Sequence, residues 1–179
     1  MIKSDDITIC PMQDEESDYQ LMAKWLSDPR VYEFIHGKPK DLIWAKNKYG
    51  PRIRKEEPVN ACIIEFKNQP IGYIQYFNIK PYEKDYEMKN TKDIWAIDLW
   101  IGEVEFWDKG IGSQALKLLK DYIFKKLHAK KIIIDPHTDN PRAIHVYEKV
   151  GFKKIKILKK HELYKNKKVD AWLMEIQND

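Results

Sequence analysis

The sequence predicts an α/β fold in one domain: a mixed β-sheet flanked by helices. Three observations lead there. The chain has 179 residues, a length that suits one domain burying about 70% of its unfolded-chain surface. Runs with strand and helix periodicity interleave in the order β-α-α-β-β-β-α-β-α-β-β, which calls for a sheet with helices packed on it. No repeat, low-complexity tract or linker divides residues 1–179, so the whole chain is read as one unit.

Residues 7–12 (ITICPM) read as a first strand. From Tyr19 to Leu26 the apolar residues Leu21, Met22, Trp25 and Leu26 recur at helical spacing, and Asp28-Pro29 is expected to end that helix. A second short helix is expected over Asp41 to Tyr49, stopped by Gly50-Pro51. The runs 59–66 and 71–79 are β-rich and separated by Lys67-Asn68-Gln69-Pro70, a hairpin. Residues 80–93 are polar without a period, and a loop of that length is usually functional or mobile. Residues 93–102 form the next strand, at the expected centre of the sheet. From Gly110 to about Leu127 the residues Ile111, Ala115, Leu118, Leu119, Tyr122 and Ile123 share one helix face. Lys131 to Asp135 is a short strand ended by Asp135-Pro136. Asn140 to Val150 is the last helix, with Pro141 suited to its first turn and Gly151 to its end. Two strands follow, over 152–158 and 170–176.

Composition narrows the function. The net charge of +4 comes from dispersed Lys and Arg, which serves solubility, and no recognition motif accompanies it, so no nucleic-acid partner is expected. The acidic first twenty residues lack an apolar core, and no apolar run approaches membrane-spanning length. No membrane association and a cytoplasmic address are therefore expected. Cys10 and Cys62 sit in strand-like runs and are read as unpaired core residues. The five histidines show no metal-ligand spacing, so no metal is expected; four are read as surface or loop residues, and His137 alone as a cleft candidate.

The segment from Gly110 to Phe152 carries the chemistry. Gly110 and Gly112 open a helix, where bare backbone lets N–H groups approach a phosphate and the helix end adds about half a positive charge. After one strand comes NPRAIHVYEKVGF, placing Asn140, Ala143 and Tyr147 on successive turns of another helix. Asn140 also suits an N-cap. Asp98 stands out in its strand. Alternation puts Trp95, Ile97, Leu99 and Ile101 on one face and Ile94, Ala96, Asp98 and Trp100 on the other. A carboxylate among such neighbours needs a partner, either in the fold or from a ligand in a wet cleft. From Asp93 to Asp108 there are five acidic residues and no Lys or Arg, and Glu83, Asp85 and Glu87 add to this field, which favours a cationic ligand. Asp135, at the end of its strand, is a second candidate, and Glu162 a weaker one.

The glycine turn and the second block, in that order, resemble the acetyl-CoA site of Gcn5-related N-acetyltransferases (GNAT). One position departs: Trp107 stands where that family commonly has Arg or Gln. The segments 24–34, 70–77, 96–112 and 134–152 extend the resemblance to the aminoglycoside 6'-N-acetyltransferases of that superfamily. The resemblance implies a GNAT-like fold and a cosubstrate, acetyl-CoA. Its pyrophosphate would lie against Trp107, Asp108, Lys109, Gly110, Ile111 and Gly112, and its pantetheine arm beside Asn140 and Ala143. It implies Asp98 as the base toward the 6'-amine and Tyr147 as the acid toward the leaving thiolate. It places Asp135, Trp25 and Tyr73 on the drug side. An aminoglycoside small molecule is the implied partner, the chain being a monomer or weak dimer. Two rivals share the cofactor residues: an enzyme acetylating a protein N-terminus or another cellular amine, and a non-catalytic acetyl-CoA-binding module.

Overall fold

The computed structural model describes residues 1–178. Its elements run β1 (Ile2–Lys3), β2 (Ile7–Pro11), α1 (Glu16–Ser27), α2 (Pro29–Ile35), α3 (Leu42–Ile53), β3 (Asn60–Phe66) and β4 (Gln69–Asn78). The second half adds β5 (Ile94–Ile101), α4 (Ile111–Leu127), β6 (Lys131–Ile134), α5 (Pro141–Val150), β7 (Lys153–Tyr164) and β8 (Lys167–Gln177). All eight strands form one sheet in the order β1-β2-β3-β4-β5-β6-β8-β7. The expected mixed α/β sheet is borne out, with β5 near its centre: β5 and β6 run parallel and the other neighbours antiparallel. No described helix is long and apolar enough to cross a membrane.

The two faces are covered by different parts of the chain. One face of β2–β5, including Ile9, Ile64, Ile74 and Ile97, packs on Leu116, Leu119 and Ile123 of α4, and the same core runs on to Ile144 and Val150 of α5. The other face carries Ile63, Tyr73 and Trp100 against Met22, Trp25, Ala45 and Tyr49 of α1 and α3. Farther along that second face, the segment after β4 lays Ile79 and Tyr86 over Ala96, Ile133 and Leu173. This segment is not an open loop. It begins with a 3₁₀ turn (Lys80–Tyr82), and its Thr91 is fully buried, bonded through both hydroxyl and N–H to Glu83.

Several expected boundaries moved, each for a local reason. Asp28-Pro29 ends α1 but also starts α2: the Asp28 carboxylate accepts from Arg30 N at 2.9 Å, and Pro29 stands in the first turn, where its missing N–H costs nothing. Gly50-Pro51 does not stop α3, which continues to Ile53 because the burial of Ala45 and Tyr49 already fixes the helix. The β3–β4 and β7–β8 hairpins turn on Lys-Asn pairs, Lys67-Asn68 and Lys165-Asn166, with all four residues at positive φ, the backbone that tight hairpins demand. The second hairpin is longer than its lysine-rich sequence suggested. Within it β7 bulges: Leu158 pairs with Ala171 and Glu162 with Val169, leaving three residues opposite one, with Lys160 at φ +50°. Cys62 is buried as expected, whereas Cys10 is only half-buried, and both are free thiols.

Trp25 shows how tightly the α1 face is packed. It is 1% exposed, meets Trp100 edge to face at 5.7 Å, and lies flat over Gly102, where any Cβ would overlap its ring. Gly102→Ala should therefore lower unfolding stability by about 2 kcal/mol or more, read from urea denaturation. An unchanged midpoint would show that the ring has room to move.

Candidate active site

The site begins with a gap in the sheet. Strands β5 and β6 pair only from Ile94–Lys131 to Ala96–Ile133 and then diverge. Beyond Ile97, β5 is bonded on its β4 side alone. Gly102 donates to Ile71 O at 2.8 Å, so strand alternation turns the N–H groups of Leu99 and Ile101 toward the gap. The Ile101 carbonyl on that side is taken by Trp107 Nε1 at 2.9 Å. A cleft of about 660 Å³ opens there, reaching from the start of α4 to α2, α3 and the β7–β8 hairpin. A depression of similar size between α1 and residues 39–42 is lined by surface side chains such as Gln20 and Lys40 and holds no comparable grouping.

At one end lie the glycines. Gly110 has φ +74°, a turn that a side chain would strain, and it starts α4 with no side-chain cap. By contrast Asp28, Asp41 and Asn140 cap α2, α3 and α5. The first N–H groups of a 17-residue helix thus face the cleft without a side-chain acceptor. Gly112 has ordinary helical backbone, and a Cβ there would meet Ile101 only at normal contact distance, 3.7 Å. Nothing inside the fold requires glycine at 112, so the space it leaves belongs to the cleft. Trp107 carries the Arg142 guanidinium at 4.4 Å over its ring, and Arg142 pairs with Asp108 at 3.1 Å. Trp107, Asp108, Gly110, Ile111 and Gly112 all line the cleft. Lys109 does not; its ammonium lies over Phe106.

Asn140, Ala143 and Tyr147 also line it. Asn140 Oδ1 accepts from Ala143 N at 3.1 Å, the cap expected of it. Tyr147 is 8% exposed. Burial, together with the charges of Asp98, Asp135 and Glu162, pushes its phenol well above its ordinary pKa, so it holds its proton at neutral pH.

The carboxylates gather in the middle. Asp98 accepts a hydrogen bond from Gln75 Nε2. Its pKa is pushed up to about 7, first by burial and then by Asp135, partly offset by Gln75. Asp135 is buried and accepts from His161 Nε2 at 2.9 Å. Burial raises its pKa and His161 opposes the rise. His137 meets Glu162 at 3.0 Å, and that hydrogen bond raises the imidazole pKa. For His161 burial works against protonation, but Asp135 and Glu162 outweigh it. Donor atoms of Asp135, His161 and Glu162 all lie within 4.8 Å of one another. Their sequence spacing gives no hint of this, because it depends on the β7 bulge.

The acidic field read along the sequence does not survive folding. Asp93 pairs with Lys130 and Glu103 with Lys24, while Glu83 is held by Thr91 and Glu87 by Lys156. Of the five acids between 93 and 108, Asp98 and Asp108 reach the cleft. Tyr73 lies in the cleft wall, its hydroxyl donating to Gln75 Oε1 at 2.7 Å. Trp25 is a correction: it is core, its Nε1 donating to Glu103 at 2.8 Å, and it is absent from the cleft lining. Sequence reading missed Gln75, Arg52, Lys48, His36 and His161, all placed at the cleft or the smaller cavity beside it. Of these, helical spacing alone could have paired Lys48 with Arg52.

Comparison with known proteins shows the fold and the family. The aminoglycoside N(6')-acetyltransferase type 1 of Klebsiella pneumoniae is 27% identical over 154 residues, 84% of this chain and 76% of that protein. The aminoglycoside acetyltransferase AAC(6')-Ib in complex with coenzyme A and kanamycin superposes with a TM-score of 0.81 at 24% identity, over 96% of this chain and 95% of that one. The spermidine N-acetyltransferase of Vibrio cholerae in complex with CoA and spermine gives 0.75 at 18% identity, over 96% and 95%. The acetyltransferase (GNAT) domain model matches residues 14–160, and the chain belongs to that family of acetyltransferases.

Proposed function

We propose that the chain transfers the acetyl group of acetyl-CoA to a primary amine held at Asp98, the 6'-amino group of an aminoglycoside being the acceptor its relatives point to. One observation carries the reading: a carboxylate with a raised pKa shares a continuous cleft with an uncapped helix start and a protonated phenol. The pyrophosphate would lie on the first N–H groups of α4, between Gly110 and Gly112, and the pantetheine would run past Asn140 and Ala143. When bound, the cosubstrate supplies the thioester; the chain supplies position and protons.

The amine nitrogen attacks the thioester carbonyl carbon, and the carbon–sulfur bond breaks. An amine is mostly protonated at neutral pH and must lose a proton to react. Asp98 takes that proton, directly or through one water. Tyr147, which holds its proton at neutral pH, returns one to the sulfur as the carbon–sulfur bond breaks, and the phenoxide is reprotonated from solvent. The Leu99 N–H faces the gap and is placed to polarise the carbonyl. Asp135 and Glu162, each paired with a histidine, would hold further ammonium groups of the acceptor. A second reading, acetylation of another cellular amine, is supported by the likeness to spermidine N-acetyltransferase.

Three measurements follow. Thiol release with kanamycin, an N-terminal peptide and no acceptor should be fast with kanamycin only; equal release with the peptide would move the chain to the second reading. Asp98→Asn should lower kcat/KM about 10²-fold or more with the KM for acetyl-CoA little changed. In the wild type kcat/KM should fall as pH drops through about 7, because the raised carboxyl becomes protonated, and the variant should lack that inflection. Gly112→Ala should weaken acetyl-CoA binding in calorimetry while leaving Tm equal or higher, since alanine suits a helix better by about 0.5–1 kcal/mol. Unimpaired binding would remove the pyrophosphate from that turn.

A further inference from the structure

The acceptor half of the cleft is not uniformly acidic. Beyond Gln75, which bonds both Asp98 and Arg52, α3 turns Lys48 and Arg52 to the same wall, four residues apart on one helix face. Arg52 is held: its Nε donates to Glu57 at 3.1 Å and its Nη1 to Gln75 at 2.6 Å, which uses two of the guanidinium's five donors. Lys48 is half-buried and makes no ion pair among the described residues. Burial first and then Arg52 hold its pKa down, with Asp98 and Glu57 acting weakly the other way. His36 stands nearby in the same lining; burial, Lys40 and Lys48 depress its pKa to about 4, so it is neutral. A partly desolvated ammonium without a counter-ion, beside an arginine with free donors, is costly unless an anion completes it.

We propose that Lys48 and Arg52 form an anion subsite in the acceptor half of the cleft, so that an acceptor carrying a carboxylate or phosphate group beside its reacting amine is preferred to the same amine without one. The inference rests on the acetyl-transfer reading and narrows its substrate class. The amine faces Asp98, Asp135 and Glu162, and the anionic group faces α3. An aminoglycoside satisfies the first half alone and presents ammonium groups to the second. An amino acid or a phosphorylated amino sugar satisfies both.

Matched acceptors titrated calorimetrically into the full chain loaded with CoA test it: lysine against 1,5-diaminopentane, and glucosamine 6-phosphate against glucosamine. The first pair reports a carboxylate, the second a phosphate. The anionic member of at least one pair should bind about tenfold more tightly, the scale of one charge-assisted hydrogen bond. Lys48→Met should bring that ratio close to one, and Lys48→Glu should invert it. Equal affinities in both pairs, binding of neither member, or a ratio unchanged in Lys48→Met would each overturn the subsite. Thiol release with the same compounds separates the two readings. Turnover without an anion preference sinks the subsite alone; a preference without turnover sinks acetyl transfer alone.

Discussion

The rest of the structure depends on the parting of β5 from β6 after Ala96 and Ile133. A sheet that stops pairing at its centre leaves backbone groups that must find other partners. Here one is satisfied from within, by Trp107 on the Ile101 carbonyl, and the Leu99 N–H is left toward the cleft. The gap also solves a problem of sidedness. Asp98 projects to the face covered by α1 and α3, because its neighbours Ala96 and Trp100 pack there. Tyr147 comes from α5, whose apolar residues belong to the opposite core. A closed sheet would separate the two groups by its own thickness. The opening brings both into the lining of one cleft.

Burial then fixes the protonation states. Asp135 and Glu162 raise the proton affinity of Asp98, and Glu162 that of Asp135, so the two buried aspartates cannot both ionise freely. The fold answers with graded partners: a neutral amide, Gln75, on Asp98, and imidazoles on the other two. An amide stabilises a carboxylate less than a cation does, and Gln75 offsets only part of the rise that leaves Asp98 at about 7. That is the property a base toward an amine needs. Tyr147, pushed the opposite way in function by the same carboxylates, remains an acid.

What could be read in advance divides along a physical line. The glycine turn, the helix after it, the short strand and the Asn140 helix were legible because each rests on local rules: backbone freedom at Gly110, capping at Asn140, periodicity in α4. Strand alternation likewise gave the face of Asp98 correctly. Sequence proximity misled where side chains pair across the fold. The run of acids from Asp93 to Asp108 looked like a field, yet Lys130 and Lys24 neutralise two of them from distant elements. Trp25 looked like a ligand platform and is a core residue over Gly102. His161 read as a surface histidine because nothing in a lysine-rich strand announces a bulge. Asp170 helps fix that bulge, bonding both Lys159 and Lys160 N, and the bulge turns His161 and Glu162 inward.

The same division bears on specificity. The cofactor end comes from one contiguous stretch, residues 107–147, whose geometry follows from a turn and two helix starts. The acceptor end is assembled from α2, α3, β4, β5, the end of β6 and the β7–β8 hairpin. That hairpin is tied back to α2 by Tyr164 on the Glu33 carbonyl at 2.5 Å and by Lys165 on the Glu33 carboxylate. Side chains at this end are held by long-range contacts and carry little of the main core. A change at Lys48 or Glu162 can therefore alter which amine is accepted without disturbing how the thioester is held. The family match shows an acetyltransferase domain, and under the proposed function the choice of amine falls to the far end, where this chain combines three carboxylates with Lys48 and Arg52 of α3.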